Sequence, residues 1–238
     1  MNGRDRILIP LDVDSEAAAL AAVRTLAGKV GGFKVGLELI HAAGFSIFGK
    51  IREAGGERIF YDAKLHDIPN TVAGAVRAAA RYGVWMLNVH ASGGRTMLEA
   101  ARTANADAAT PIPNLIGVTV LTSLDDATLA SDLRVPGGAA KQALHLARLS
   151  QSAGLDGIVC SPLEVAAVKR ACGAEFVTVV PGVRPAGVAA HDQKRVATPG
   201  AAIAAGAHYL VIGRAITGAA DPVAAADAIA QEIEGVLP

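Results

Sequence analysis

Two carboxylates and an ammonium fall within six residues, Asp62-Ala-Lys64-Leu-His-Asp67, directly after the apolar run Ile59-Phe60-Tyr61, which reads as a buried strand. Alternate side chains of a strand share a face, so Asp62 and Lys64 are expected to project together from its end. Asp67 stands two residues before Pro69, beyond the strand, in a loop that can reach elsewhere. A fixed ammonium beside a carboxylate can stabilise developing negative charge and deliver a proton. The same charges at an ordinary strand terminus would only pair and meet water. The run therefore needs company before it points to a site.

Neighbouring strand-like runs supply that company. Asp12 ends the first, Lys34 lies in Phe33-Lys34-Val35-Gly36, and Asn88-Val89-His90 ends the fourth. By alternation Lys34 shares a face with Gly32, and Asp62 and Lys64 share one with Phe60, while Tyr61 and Ala63 turn away. Lysines and aspartates alternating in a row hold one another charged. Such a row is costly to desolvate, so function explains it better than folding does. A second feature lies in Pro181-Gly182-Val183-Arg184 and Gly213-Arg214, which follow the last two runs. Backbone N–H groups and a guanidinium there suit a phosphate, with Arg214 as the clamp. His66 is expected to be a structural hydrogen-bonding residue, and His90 to brace Lys64 or Asp62. Phe60, Tyr61 and Trp85 read as core, and Cys160 and Cys172 as reduced packing residues.

The elements that must position these groups recur regularly. Apolar runs of strand length occupy 7–11, 30–35, 58–63, 84–89, 114–120, 157–160, 176–180 and 209–212. Between them lie helix-favouring segments such as 15–27, 37–52, 71–82, 95–105, 139–153, 162–171 and 222–236. Alternation of strand and helix implies parallel strands with helical crossovers. Eight units within 238 residues match a closed (β/α)₈ TIM barrel formed by residues 1–238 as one domain. Such barrels build their sites where strands end, and their seventh and eighth loops take phosphate. An open doubly wound sheet lacks its usual G-x-G-x-x-G turn, since Pro10-Leu11-Asp12-Val13-Asp14 stands in that place. Segment 125–138, with Pro136-Gly137-Gly138, is long for a connection and reads as either a lid or a static surface loop.

Composition removes several function classes. Lys plus Arg and Asp plus Glu both total 22, so no overall field draws the chain to nucleic acid or an anionic membrane. Only 4% of residues are aromatic, too few for base stacking along a strand. The two cysteines form no CxxC and neighbour no His cluster, which weakens metal and redox readings. No stretch reads as a signal peptide or membrane span, and a cytoplasmic location is expected.

The ordered segments Pro10-Leu11-Asp12, Phe33-Lys34-Val35-Gly36, Asp62 through Thr71, Asn88-Val89-His90-Ala91-Ser92-Gly93-Gly94, Val120-Leu121-Thr122-Ser123, Pro181-Gly182-Val183-Arg184 and His191-Asp192-Gln193-Lys194-Arg195 resemble the orotidine 5′-phosphate decarboxylase family. The resemblance runs on to Gly213-Arg214-Ala215-Ile216-Thr217 and covers nearly the whole chain. It implies that Asp12 and Lys34 hold ribose hydroxyls, Asp62 lies beside the substrate carboxylate and Lys64 delivers the proton. Asp67, with Ile68 and Thr71, would enter the site of the other subunit of a homodimer. Thr122 would touch the pyrimidine edge, and Gln193 and Arg214 the phosphate, with Arg184, Pro181 and Gly213 on the phosphate side. No cofactor and no metal are implied. The D-x-K-x-x-D run is shared with Mg²⁺-dependent sugar-phosphate enzymes of the same barrel superfamily, which are one rival reading. A non-catalytic nucleotide-binding protein is another.

Overall fold

The computed structural model describes residues 1–185 and 197–237. Eight parallel strands close into a barrel in sequence order, β1 pairing with both β2 and β8. The chain runs β1 (Ile7–Pro10), α1 (Glu16–Leu26), β2 (Gly32–Val35), α2 (Leu37–Ala43), α3 (Ile47–Glu53), β3 (Ile59–Leu65), α4 (Pro69–Ala80) and β4 (Met86–His90). It continues through α5 (Arg95–Ala106), β5 (Asn114–Val118), α6 (Asp126–Ser131), α7 (Gly138–Ser152), β6 (Gly157–Val159) and α8 (Val165–Cys172). The remaining elements are β7 (Val177–Pro181), α9 (Pro199–Ala204), β8 (Tyr209–Val211), α10 (Arg214–Thr217) and α11 (Pro222–Glu234). This is the expected (β/α)₈ architecture. Among the described residues no helix is long and apolar enough to cross a membrane.

Strands buried on both faces read as apolar runs because one face fills the barrel and the other meets the helices. Leu8, Phe60, Met86, Ile116, Val179 and Tyr209 fill the interior, so the barrel is packed and has no pore. Ile7, Ile9, Val35, Leu87 and Leu115 belong to the larger layer between strands and helices. Trp85, expected in the core, is only partly buried. It packs edge-on to Tyr209 at 5.0 Å and lies under the Arg58 guanidinium at 5.6 Å, an amphipathic plug beside the interior.

Helix starts carry their own signals. Ser15 accepts from the Ala18 N–H to cap α1, Asp221 caps α11 ahead of Pro222, and Thr198 caps α9 ahead of Pro199. One expectation fails here, and one open reading narrows. The segment 37–52 is two helices, because Gly44 takes φ 68° after α2 and Ser46 restarts the chain into α3. The break turns Phe45 outward to stack on Tyr82 at 5.3 Å, while Phe48 packs inward against Tyr61 at 5.2 Å. Segment 125–138 has the character of a fixed element more than that of a lid. Asp125 caps α6, the Asp126 carboxylate accepts from the Ala139 N–H at 2.8 Å, and Leu129 is buried against Ala139 and Ala143.

Between β7, α8 and β8 the Lys169 ammonium donates to the carbonyls of Ala174 and Phe176 at 2.8 and 2.7 Å and lies 2.9 Å from His208 Nδ1. Burial, then the charges of Lys169 and Arg6, holds the His208 pKa down to about 4, so its ring is a neutral acceptor. A histidine that titrates near 6.5 when unfolded stabilises the fold fully above that pH, and loses the contribution as pH falls from 6.5 toward 4. Thermal melts across that window should therefore fall more steeply for the wild type than for His208→Asn, whose amide oxygen still accepts. The expected gap is a few degrees, at about 2–4 °C per kcal/mol for a chain of this size. Parallel curves would remove His208 from the acid response.

Candidate active site

The C-terminal mouth of the barrel opens into a cavity of about 550 Å³. Asp12, Lys34, Asp62, Lys64, Thr122, Pro181, Arg184, Gly213 and Arg214 all line it, contributed by the ends of six of the eight strands or the loops that follow them. Across one side runs a continuous row of alternating charge. Lys34 Nζ lies 3.0 Å from Asp12 Oδ1 and 3.2 Å from Asp62 Oδ2, and Lys64 Nζ lies 2.7 Å from Asp62 Oδ1. Lys34 and Asp62 are buried, whereas Asp12 is exposed at the open end.

The backbone explains this convergence. Pro10 pairs with Lys34 and Lys34 with Phe60, so Asp12 and Asp62 each stand two residues beyond the level of Lys34 on the strands that flank it, and the long lysine side chain reaches up between them. Gly36 keeps the approach open, since a Cβ there would lie 3.2 Å from Lys34 Nζ and 3.4 Å from Asp12 Oδ1. Asp62 and Lys64 do face the same cavity, but regular alternation is not the reason. Tyr61 pairs with Leu87 and Leu65 with Val89, so Asp62, Ala63 and Lys64 together stand opposite Asn88 alone. Within this bulge Lys64 takes φ 48°, a left-handed conformation that costs a non-glycine residue about 1–2 kcal/mol.

Asn88 was not assigned a role from the sequence, yet it fills the bulge. Its Nδ2 donates to Asp62 Oδ1 at 2.6 Å, and its Oδ1 accepts from the Lys64 backbone N–H at 2.7 Å. An asparagine inside an apolar strand was the available signal, because strands disfavour it. The electrostatics follow the geometry. Burial alone would raise the Asp62 pKa, but Lys34, Lys64 and the hydrogen bond from Asn88 outweigh it and hold the carboxyl below its ordinary value. Burial would likewise lower the Lys34 pKa, and Asp62 and Asp12 together hold it above the usual lysine value. Both groups are therefore firmly charged at neutral pH.

His90 does not brace the row by a hydrogen bond. Its ring lies 5.4 Å from that of His66, and burial, then His66 and Lys64, lowers its pKa and favours the neutral ring. His66 is exposed and makes this ring contact in place of the hydrogen bond expected of it. Asp67, Ile68 and Thr71 lie outside the cavity of their own chain and are exposed, with Asp67 accepting from the Ile68 N–H at 2.6 Å. Gln193 lies outside the described residues. Sequence reasoning also missed the apolar wall formed by Phe60, Val118, Val120, Val159, Val183 and Val211, whereas Cys160 packs in the layer between strands and helices as expected. Register places Val118 beside Val159 and Pro181 beside Val211, but no residue type there advertises chemistry.

A closed barrel whose strand ends gather a row of alternating charge around a buried Lys34–Asp62 pair, in one cavity with an arginine and an apolar wall, defines a (β/α)₈-barrel enzyme with its site at the C-terminal mouth. Comparison with known proteins makes the class particular. The model of the orotidine 5′-phosphate decarboxylase / HUMPS family matches residues 5–229, and the chain belongs to that family. It is 52% identical to orotidine 5′-phosphate decarboxylase of Moorella thermoacetica, over 99% of this chain and 95% of the relative. The same-named protein of Halorhodospira halophila is 52% identical, with 97% of each chain covered. Among solved structures, orotidine 5′-phosphate decarboxylase from Lactobacillus acidophilus superposes with a TM-score of 0.84 at 36% identity, covering 95% of this chain and 98% of that one.

Proposed function

We propose that this chain decarboxylates orotidine 5′-phosphate to uridine 5′-phosphate and CO₂ in pyrimidine biosynthesis, without a cofactor, and that Lys64 protonates C6. The observation that carries this reading is the row Asp12–Lys34–Asp62–Lys64 sharing one cavity with Arg214. In the reaction the C6–carboxylate bond breaks, its electron pair stays on C6, and CO₂ departs. That pair lies in the ring plane with no conjugated sink, so its stabilisation must be electrostatic. An ammonium already anchored to Asp62 can face the developing charge without reorganising, then give C6 a proton.

Asp62 has a second effect. A substrate carboxylate about 4 Å from it would be disfavoured by on the order of 4 kcal/mol at an effective dielectric of 20. Loss of CO₂ relieves that repulsion, so it favours turnover, although it is too small to account for catalysis alone. Arg214, with Arg184, Gln193 and the backbone at Pro181 and Gly213, binds phosphate; Thr122 meets the pyrimidine edge, and Asp12 and Lys34 the ribose. Phosphate binding remote from C6 offsets the strain. The active form is a homodimer in the cytoplasm in which Asp67, Ile68 and Thr71 complete the partner's site. The exposure of Ile68, 67%, supports this, because an apolar side chain beside a charged cavity gains by being covered.

Incubation with orotidine 5′-phosphate, followed by pyrimidine absorbance, tests the reading directly. The expected result is stoichiometric uridine 5′-phosphate and CO₂, at a rate unchanged by excess EDTA. Activity lost to EDTA and restored only by Mg²⁺ would favour the metal-dependent branch of the superfamily. Tight binding without any absorbance change would favour a non-catalytic nucleotide binder.

A further inference from the structure

We propose that Asn88 is the positioning residue of this site: its side-chain amide bridges the β3 bulge and thereby fixes both the Asp62 carboxylate and the Lys64 main chain in their working places. The inference rests on the decarboxylase reading for its kinetic consequences, but its geometry stands without it. Three β3 residues crowd into the space opposite one β4 residue, so the local ladder cannot satisfy the Lys64 N–H in the regular way. Asn88 Oδ1 takes that N–H at 2.7 Å, and the lysine it holds has φ 48°. The other end of the same amide donates to Asp62 Oδ1 at 2.6 Å, the oxygen that also receives Lys64 Nζ at 2.7 Å.

Two consequences follow from the chemistry of an amide. It has a donor end and an acceptor end, so one planar group can lock both partners. Serine is too short to span both, and aspartate offers acceptors only. Asn88 is 1% exposed, which shields both hydrogen bonds from exchange with water. Removing it leaves the Lys64 N–H without its partner and the Asp62 carboxylate held only by the two flexible lysine side chains. Lys64 would then lose its set distance from the leaving carboxylate while keeping its charge.

The test compares Asn88→Ala and the near-isosteric Asn88→Asp with the wild type. Each is assayed for kcat on orotidine 5′-phosphate, for uridine 5′-phosphate affinity, and for the Asp62 carboxyl titration by ¹³C NMR. In both variants kcat should fall about 10- to 100-fold, the scale of one hydrogen bond to a charged group, with product affinity within about threefold of wild type. The Asp62 titration should move upward in Asn88→Ala.

Asn88→Asp adds a pH signature that a packing role would not produce. Ionised, the new carboxyl repels Asp62; protonated, it can donate to Asp62 again. It is faced by Asp62 and Lys64 of β3, and lies near Lys34 and His90, so its midpoint belongs to the group. Relative to wild type, the kcat of this variant should rise as pH falls. A wild-type enzyme that is active, with both folded variants within twofold of it in kcat, would overturn the proposal. An inactive wild type with the Asp62 titration shifted in Asn88→Ala would sink the decarboxylase reading and leave Asn88 as the positioning residue. An unshifted titration in that folded variant would overturn the positioning role.

Discussion

Lys64→Ala should abolish turnover while leaving uridine 5′-phosphate bound nearly as tightly as in the wild type. On the proposed mechanism the substitution removes the proton donor and the charge nearest the breaking bond together, and losses of about 10²–10⁴ for the first and 10²–10³ for the second set the scale. One group supplies both, so the two losses do not multiply in full, and a fall in kcat of about 10⁴-fold, the top of the larger range, is the expected scale. On the proposed reading the product lacks the carboxylate that Lys64 and Asp62 would address, and its phosphate would be held by Arg214, which lines the same cavity. Substrate affinity should weaken more than product affinity, since Asp62 then meets the substrate carboxylate with Lys34 as its one remaining ammonium contact. The measurement is steady-state decarboxylation beside calorimetric binding of both nucleotides. A kcat near wild type would remove Lys64 from its role, and equal loss of both affinities would mean that the cavity had collapsed.

Most of what that experiment relies on was legible in the chain, for physical reasons that differ by element. Strands buried on both faces must be apolar throughout, so eight runs and the loops between them declare a parallel barrel before any side chain is placed. Asp12, Lys34, Asp62 and Lys64 stand out because packing gives no reason to set charged residues at the ends of apolar strands. What the chain hides is local backbone departure. Nothing in Asp62-Ala63-Lys64 signals a left-handed residue, because the usual marker, glycine, is missing and the conformation is supported from another strand by Asn88.

The helix break at Gly44 was concealed for the opposite reason. Its flanks, Ile40 and Ile47 among them, are apolar on both sides, and one long amphipathic helix satisfies that pattern as well as two short ones. The apolar wall is hidden in a third way. Val118, Val159 and Val211 carry no chemical signature, and only strand register brings them to the rim. α9 was overlooked because six residues are too few for a helical period, although Thr198-Pro199 carried its start signal.

Mixing two inactive variants should restore activity, and this outcome distinguishes a shared site from a self-contained one. Asp67 and Ile68 sit on the exposed loop that ends β3, and in their own chain they lie outside the cavity that holds Lys64. If they complete the partner's site, Asp67→Ala alone is inactive, as is Lys64→Ala alone. In a hybrid dimer, however, the chain that keeps Lys64 receives Asp67 from the chain that lacks it. One of the two sites is then fully native, and the other lacks both groups. Random exchange makes about half of the dimers hybrids, so roughly a quarter of wild-type activity should return, with C₂ symmetry setting the ratio. Exchange itself is checked by mass spectrometry of differently tagged chains. A mixture that stays inactive with exchange complete means that Asp67 serves its own subunit or none, and Ile68 then needs another reason for its exposure. Recovery near the quarter value would also explain why the bulge in β3 is placed where it is: it turns Lys64 into its own cavity just before the chain leaves for the neighbouring one.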